Sequence, residues 1–291
     1  MKKNPPPAIP YRYRPVQFYL LVFLFTWLFW VAAARTKESA LAMGLMFLGL
    51  LVPPAVAVVF VLTSRSGALR RDFKRKLAGF ARLKLWTPPV AAAGFGLIVA
   101  VSILLSVPFG GSLAQFAFAE GFSFSIRGSS ALLTILLASV IEELGWRGYG
   151  EDAIASRCNW FCESLWFGGI WALWHLPLFC IPGTYHAGLA ALGTGYVLNF
   201  LISVLPLGFL TTWVYVKNGR SMLASILFHL FVNFFQEKIA MTPETKCIET
   251  AVIAVAAAVV VLTNRDLFFE QRHVGDLLGE LGPKGQAVPR S

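Results

Sequence analysis

Long apolar runs separated by short polar stretches form the dominant pattern of this chain. A membrane-spanning helix needs about 20 predominantly apolar residues, within a range of about 17–25. Eight stretches approach or meet this length, and the sequence predicts spans at 16–34, 40–63, 90–107, 129–144, 164–181, 190–216, 221–235 and 248–263. The pattern therefore predicts an all-α polytopic membrane protein. Its transmembrane domain, 16–263, lies between an N-terminal segment, 1–15, and a flexible tail, 264–291.

Composition strengthens this interpretation and removes several others. Hydrophobic residues make up 57% of the 291 residues, charged residues make up 14%, and the mean hydropathy is +0.66. A soluble globular domain is nearer to about 45–50% apolar and about 25% charged. The four Cys have neither CxxC nor zinc-finger spacing. A water-soluble enzyme, a disordered chain and a disulfide-stapled secreted domain are therefore poor fits.

The distribution of Lys and Arg predicts the orientation in the membrane. The net charge is +10, and 20 of the 25 basic residues fall in the N-terminal segment, the tail and the loops predicted to share their side. Loops rich in Lys and Arg stay in the cytoplasm, so both termini are predicted to be cytoplasmic. This bias accounts for the basic charge without a nucleic-acid partner. Among these basic residues, segment 70–76 is either a topology signal alone or a surface that rests on anionic membrane lipid.

Ionisable groups inside membrane spans are costly and mark functional sites. Of the 15 acidic residues, only Glu142 and Glu143 are interpreted as adjoining the body of an apolar run, and His175 and His229 lie inside predicted spans. His186 is predicted to lie in a loop. At about 1.5 Å of rise per residue, the polar groups of the fourth, fifth and seventh spans reach the same slab in the cytoplasmic half of the membrane. This agreement predicts one shared site.

Spacing within each helix predicts how these groups divide their roles. Glu143 and Arg147 are four residues apart and share a helix face, whereas Glu142 points about 100° away. Glu143 is therefore predicted to pair with Arg147, which leaves Glu142 available for chemistry. His229 and Asn233 are also four residues apart and present one surface together.

The predicted fifth span carries a proline close to its histidine. Pro177 lies two residues after His175 and removes the helical hydrogen bond to the carbonyl of Leu173. The helix is therefore expected to loosen here, which gives a peptide or water room beside the imidazole.

Three motifs stand in order on these spans: Glu142-Glu143-x-x-x-Arg147, Trp171-x-x-x-His175 and His229-x-x-x-Asn233. In this order and spacing the chain resembles the CAAX protease and bacteriocin-processing family of intramembrane proteases, also called type II CAAX prenyl endopeptidases. The resemblance covers roughly residues 129–235, and the family's eight spans agree with the predicted count. The family's second motif begins with Phe, where this chain has Trp171.

The resemblance implies a role for each motif residue. Glu142 would be the general base, and His175 would help it to activate a water molecule. His229 and Asn233 would stabilise the tetrahedral oxyanion. Glu143 and Arg147 would hold the base in place. General-base and oxyanion chemistry both suit a dry site, because preorganised polar groups act most strongly there.

A metal-dependent site is the alternative. Glu142, His175 and His229 could ligate zinc as two His and one Glu. The chain has no His-Glu-x-x-His helix to hold two imidazoles together, and His229 with Asn233 is better interpreted as an oxyanion pair. A metal-free, glutamate-activated water is therefore the preferred prediction, with no cofactor.

The predicted function is an intramembrane endopeptidase that cleaves a membrane-associated protein or peptide. A prenylated C-terminus is one substrate class that the resemblance implies. A non-catalytic peptide-binding immunity or scaffold protein of the same fold is the alternative. A transporter is disfavoured because no internal repeat is visible. The short flanks favour a bacterial plasma membrane.

Overall fold

The computed structural model describes residues 11–78, 83–119 and 131–270, and these residues are almost entirely helical. The first half contains α1, Pro15–Arg35; α2, Ser39–Thr63; α3, Gly67–Leu77; and α4, Thr87–Ser106. The second half contains α5, Ala131–Gly145; α6, Glu151–Ala155; α7, Trp160–Trp174; α8, Tyr185–Leu192; α9, Thr194–Lys217; α10, Met222–Lys238; and α11, Pro243–Thr263. The described part has no strand beyond one isolated bridge, between Phe118 and Ile239. The predicted all-α class is confirmed.

Five helices in the described ranges are long and apolar enough to cross a membrane: α1, α2, α9, α11 and the helical stretch Thr87–Phe109. A sixth candidate is the bent pair of Trp160–Cys180 and Tyr185–Leu192, which turns by 81°. α5 has 15 residues and α10 has 17, so both are shorter than a usual span. The predicted count of eight spans stays a prediction.

Several predicted boundaries move. The predicted span 164–181 is interrupted, because α7 ends at Trp174 and a 3₁₀ turn, Leu176–Cys180, follows it. This break lies where Pro177 was expected to loosen the helix. α9 begins at Thr194 and not at the predicted 190, because Gly193 has φ +135°, a conformation that favours glycine and separates α8 from α9.

The predicted tail, 264–291, also needs a correction at its start. Asp266–Glu270 forms a π-helical turn in which Leu267 and Phe268 are buried. Packing of these two apolar side chains orders the turn. Residues 271–291 of the tail, like residues 1–10 of the N-terminal segment and the first two residues of the predicted fourth span, lie outside the described ranges.

Two close helix crossings determine where the polar residues meet. Gly145, at the end of α5, lies so near α2 that an added Cβ would be 2.5 Å from that of Pro53. Gly168 of α7 and Gly208 of α9 make a second close crossing, where a Cβ on Gly208 would lie 2.9 Å from the Cα of Gly168. Small residues allow helices to approach in this way in membranes. The crossings draw α5 and α7 toward the interior of the bundle.

The outer surface of the bundle is apolar, as a lipid environment requires. Along α1, Leu20, Leu24 and Leu28 are exposed, whereas Phe18 and Val22 on another face are buried. A stripe of exposed Leu would be unfavourable in water and is favourable against acyl chains. The bundle therefore places lipid-facing residues outside and the polar motif residues inside.

Candidate active site

The two adjacent glutamates of the first motif face different surroundings. Glu142 lines a cavity and accepts a hydrogen bond from the Trp171 indole N–H at 3.0 Å, with the Trp146 indole N–H farther away at 3.5 Å. Glu143 is completely buried and does not line that cavity. The rotation of about 100° between neighbouring helical residues separates them, as the sequence predicts.

Glu143 has two partners. Its carboxylate lies 3.1 Å from Nε of Arg147 and accepts from Nη1 at 3.2 Å. It also lies 2.9 Å from Nδ1 of His229, which comes from a different helix. The predicted Glu143–Arg147 contact is therefore present, and Glu143 additionally joins α5 to α10. Arg147 contacts a second carboxylate as well, with its Nε 3.1 Å from Glu151.

Trp171 joins the two groups that are predicted to activate water. Its indole N–H donates to Glu142, and its backbone carbonyl lies 2.7 Å from Nδ1 of His175. Because a carbonyl can only accept, Nδ1 of His175 carries the proton and Nε2 is the nitrogen available to a substrate or water. The Trp that replaces the family's Phe thus supplies a donor that Phe lacks.

The third motif also lines the cavity. Nδ1 of His229 donates to Glu143, which leaves Nε2 for a ligand. Asn233 donates to the hydroxyl of Ser139 over a long 3.4 Å contact, so its amide is only weakly held. To act as an oxyanion donor, His229 must carry a hydrogen on Nε2 as well as on Nδ1.

The four predicted catalytic residues, Glu142, His175, His229 and Asn233, line one cavity of about 150 Å³, which has room for several water molecules. The supporting residues Glu143 and Arg147 lie behind its wall. The structure therefore brings all six predicted site residues together.

A second cavity, of about 330 Å³, adjoins the first. It shares Glu142, His175 and His186 with the first cavity. Its remaining wall is mostly apolar and includes Trp30, Met43, Met46, Phe47, Leu50 and Leu178. The catalytic wall therefore separates a mixed polar cavity from an apolar one.

His186 is a site residue that the sequence prediction missed. It was expected in a loop, but it lies in the first turn of α8, is buried, and stacks on His175 with ring centroids 5.6 Å apart. The signal that could have located it is Thr184, whose hydroxyl accepts from the Ala187 N–H and caps the helix. This cap predicts a helix, where a loop was expected.

Three further acidic residues that the sequence prediction did not single out lie inside the bundle. Glu151, Asp152 and Glu163 are completely buried. Glu151 could have been found from its position four residues after Arg147, since such pairs meet on a helix. Glu163 lies in the first turn of α7, where an acidic residue is ordinarily interpreted as a helix-end residue.

A dense ion-pair cluster closes the bundle beside this carboxylate group. The Lys76 ammonium donates to the carbonyls of Arg147 and Gly148 at 2.8 and 2.9 Å and to Asp152 at 2.7 Å. Arg220, which has φ +63°, contacts Asp152 at 2.6 Å. Segment 70–76 is thus more than a topology signal, because its last residue supports the backbone of the first motif.

The charge of Arg220 is held by its neighbours. Burial disfavours the charged form, but Asp152, Tyr215 and Asp72 more than compensate, so the pKa of Arg220 lies well above its usual value. The Asp72 carboxylate also accepts from Nη1 at 2.9 Å. Arg220 therefore stays protonated at every physiological pH and keeps α3 attached to the loop before α10.

The acidic, His and Cys side chains of the described residues do not converge on a metal site. In the part of the chain that the structure describes, no group of three or more His, Cys, Asp and Glu is arranged to hold a metal ion. The alternative set of Glu142, His175 and His229 does not form a metal cage in this arrangement, so no step is derived through a metal.

Comparisons with known proteins agree on one family. A family model described as type II CAAX prenyl endopeptidase, Rce1-like, matches residues 127–235. A curated relative, CAAX prenyl protease 2 of Methanococcus maripaludis, is 38% identical over 265 residues, which is 90% of this chain and 98% of the relative. The interval matched by the family model contains all six predicted site residues.

Proposed function

This chain belongs to the family of type II CAAX prenyl endopeptidases and is a membrane-embedded endopeptidase, and we propose that Glu142 activates the hydrolytic water with the help of His175. The observation that carries this proposal is the contact of both residues with Trp171, at 3.0 and 2.7 Å, in the wall of one cavity. The sequence carries the same two residues in the family's motif positions.

In the proposed mechanism, Glu142 takes a proton from water as the water attacks the scissile carbonyl. Nε2 of His175 accepts a hydrogen bond from the same water and orients it. His229 and Asn233 donate to the oxyanion that forms, and one such donor contributes about 2.7–4 kcal/mol to the barrier reduction in other enzymes. Glu142 then returns the proton to the leaving amine, as a general base and acid in turn.

We propose that the substrate carries a prenylated C-terminus. The apolar cavity around Met46 and Phe47 would take the lipid chain, while the polar cavity beside Asn233 would take the peptide. Both cavities reach Glu142, so the scissile bond would lie where lipid and peptide meet. The named activity of the Methanococcus maripaludis relative supports this substrate class.

The test uses the purified full-length protein in liposomes with a fluorogenic peptide, prenylated or not. We expect cleavage of the prenylated peptide that disappears in Glu142→Gln. Ala42→Trp, which fills the apolar cavity, should raise KM for the prenylated peptide and leave kcat nearly unchanged. Binding without cleavage by the unaltered protein would instead support the scaffold alternative.

Metal independence is part of the proposal. The two motif histidines are positioned by Trp171 and Glu143, which is sufficient for general-base and oxyanion roles. Activity should therefore survive dialysis against a strong chelator. Loss of activity on chelation, with recovery on adding zinc, would contradict this part.

We propose, from the excess of Lys and Arg on one side, that both termini are cytoplasmic, and that the membrane is a bacterial plasma membrane. In this orientation both cavities reach toward the external half of the membrane. The polar cavity is lined by the ends of α10 and α11 that lie away from α3, and the apolar cavity by the start of α2, whose other end leads into α3. A reporter fused after Gly79 should then behave as cytoplasmic. An external result would place the cavities on the cytoplasmic side and reverse the route of substrate entry.

A further inference from the structure

A chain of buried polar residues extends behind the catalytic wall and plays no part in the mechanism above. It begins at Glu163 of α7, passes through Thr212 of α9 and Glu151 of α6, and reaches Arg147. All four side chains are completely buried. Arg147 then contacts Glu143, which holds His229. The chain therefore links three helices to a predicted catalytic residue.

The hydroxyl of Thr212 lies between two carboxylates. Its Oγ1 is 2.8 Å from Glu151 and 3.1 Å from Glu163. A hydroxyl has one hydrogen to donate and two lone pairs that accept. If Thr212 donates over the shorter distance to Glu151, the contact with Glu163 needs its hydrogen from Glu163.

The hydroxyl of Ser164 does not donate a hydrogen to Glu163 either. Oγ of Ser164 lies 2.7 Å from the carbonyl of Trp160 and 3.4 Å from the same oxygen, Oε2, of Glu163. A carbonyl can only accept, so the one hydrogen of Ser164 goes to Trp160. Oε2 of Glu163 thus faces two hydroxyl oxygens whose hydrogens point elsewhere. A hydrogen on Oε2 itself satisfies the shorter of the two contacts, the one to Thr212.

The charges around Glu163 lead to the same conclusion. Glu143 and Glu151 each contact the Arg147 guanidinium at 3.1 Å. Among the residues that the structure describes, Glu163 forms no ion pair, and its Oε1 has no hydrogen-bond partner. An ionised carboxylate buried without a cation is strongly unfavourable and becomes neutral instead.

We propose that Glu163 is a buried carboxylic acid that positions the catalytic wall. It donates to Thr212, Thr212 donates to ionised Glu151, and Glu151 contacts Nε of the Arg147 guanidinium. The same Nε contacts ionised Glu143, whose other oxygen lies at Nδ1 of His229. The hydrogen bonds from Glu163 to Thr212 and from Thr212 to Glu151 run in one direction, and such aligned bonds strengthen one another. The positioning role rests on the proposed function, whereas the protonation of Glu163 does not.

The protonation is tested by infrared spectroscopy of the purified protein at neutral pH. We expect the carbonyl stretch of a protonated carboxylic acid, present in the unaltered protein and in the Glu38→Gln control, which changes an exposed carboxylate. This band should be lost in Glu163→Gln. An unchanged band in Glu163→Gln would overturn the proposal, whether or not the protein cleaves any substrate.

The positioning role is tested by turnover of the proposed substrate. Glu163→Gln keeps the shape of the acid and its donor to Thr212, so kcat and the pH–rate profile should stay within about twofold of the unaltered protein. Glu163→Ala and Thr212→Val interrupt the chain and should lower kcat by about tenfold at unchanged KM, which is the scale of one lost hydrogen bond. Equal losses in Glu163→Gln and Glu163→Ala would show that Glu163 does not act as a neutral donor.

Discussion

The two ends of this helix bundle differ in how their buried charged and polar side chains are paired. At the end beside α3, Lys76, Asp152, Arg220 and Asp72 neutralise one another over distances of 2.5 to 3.8 Å. At the other end, polar side chains line a cavity. We call these the closed end and the open end.

Polar side chains at the open end have hydrogen-bonding atoms that a ligand could contact. Lys246 donates to the hydroxyl of Tyr185 at 3.2 Å and to the carbonyl of Gln236 at 3.1 Å, although an ammonium has three hydrogens. Glu249 is buried and accepts from the Gln236 amide, and its Oε1 has no hydrogen-bond partner among the described residues. A bound peptide or water could satisfy such groups, whereas the closed end is satisfied internally.

The two adjacent glutamates have different roles because their surroundings differ. Glu142 lines the cavity of the open end, whereas Glu143 lies behind the cavity wall and pairs with Arg147. Chemistry needs a group that a substrate can reach, and precise placement needs a group that is fixed by its neighbours. One helix supplies both, because consecutive residues point about 100° apart.

The largest expected effect is on turnover at the open end. Glu142→Gln keeps an oxygen to accept from Trp171 but cannot take a proton from water. Turnover should fall by about 10²–10⁴-fold, the usual scale of a lost general base, while the melting temperature in detergent stays nearly unchanged. An early-melting Glu142→Gln protein would mean that Glu142 belongs to the structural group.

The matching change at the closed end should affect stability. Lys76→Met removes the donor to two backbone carbonyls and to Asp152. Breaking a buried pair from one side costs about 3–5 kcal/mol, so the free energy of unfolding in detergent should fall on that scale. Lys74→Met is the control. Lys74 is exposed on the same helix, so this change should leave the free energy of unfolding unchanged. Similar unfolding curves for the two variants would contradict a supporting role for Lys76.

Glu143→Gln should lower both turnover and stability, each by less than the two variants above. It weakens the hold on His229, so activity falls, but Arg147 keeps Glu151 as a counterion, so the stability loss should be below that of Lys76→Met. Adding Arg147→Gln leaves Glu151 without its cation, and the double variant should melt below Glu143→Gln alone. A double variant that regains stability would show that Glu151 does not share the charge of Arg147.

Trp171→Phe should have the smallest effect and restores the residue of the family's motif. Loss of the indole donor to Glu142 removes one hydrogen bond to a charged group, about 1.5–3 kcal/mol, or roughly 10–100-fold in turnover. Folding should persist, because the ring that packs between Phe167 and the two histidines remains. Turnover measured beside the melting temperature checks both statements, and unchanged turnover would remove Trp171 from the positioning residues.

Local features of the sequence determined a large part of this protein. Apolar runs indicate membrane helices because lipid requires them to be apolar along their length, and α1, α2, α9 and α11 lie close to their predicted positions. The Glu143–Arg147 contact followed from spacing on a single helix, and Pro177 predicted the break after Trp174. Each of these features depends on residues that are close together in the chain.

Only the tertiary structure decided which distant residues share a buried contact. Lys76 belongs to a basic run typical of a solvated surface, yet it is completely buried against the first motif. Glu163 and Thr212 are 49 residues apart in the chain and meet only because α7 and α9 cross at Gly168 and Gly208. Helix periodicity reports which face a residue occupies, but the partner of that face depends on how whole helices pack, and packing is a property of all of them together.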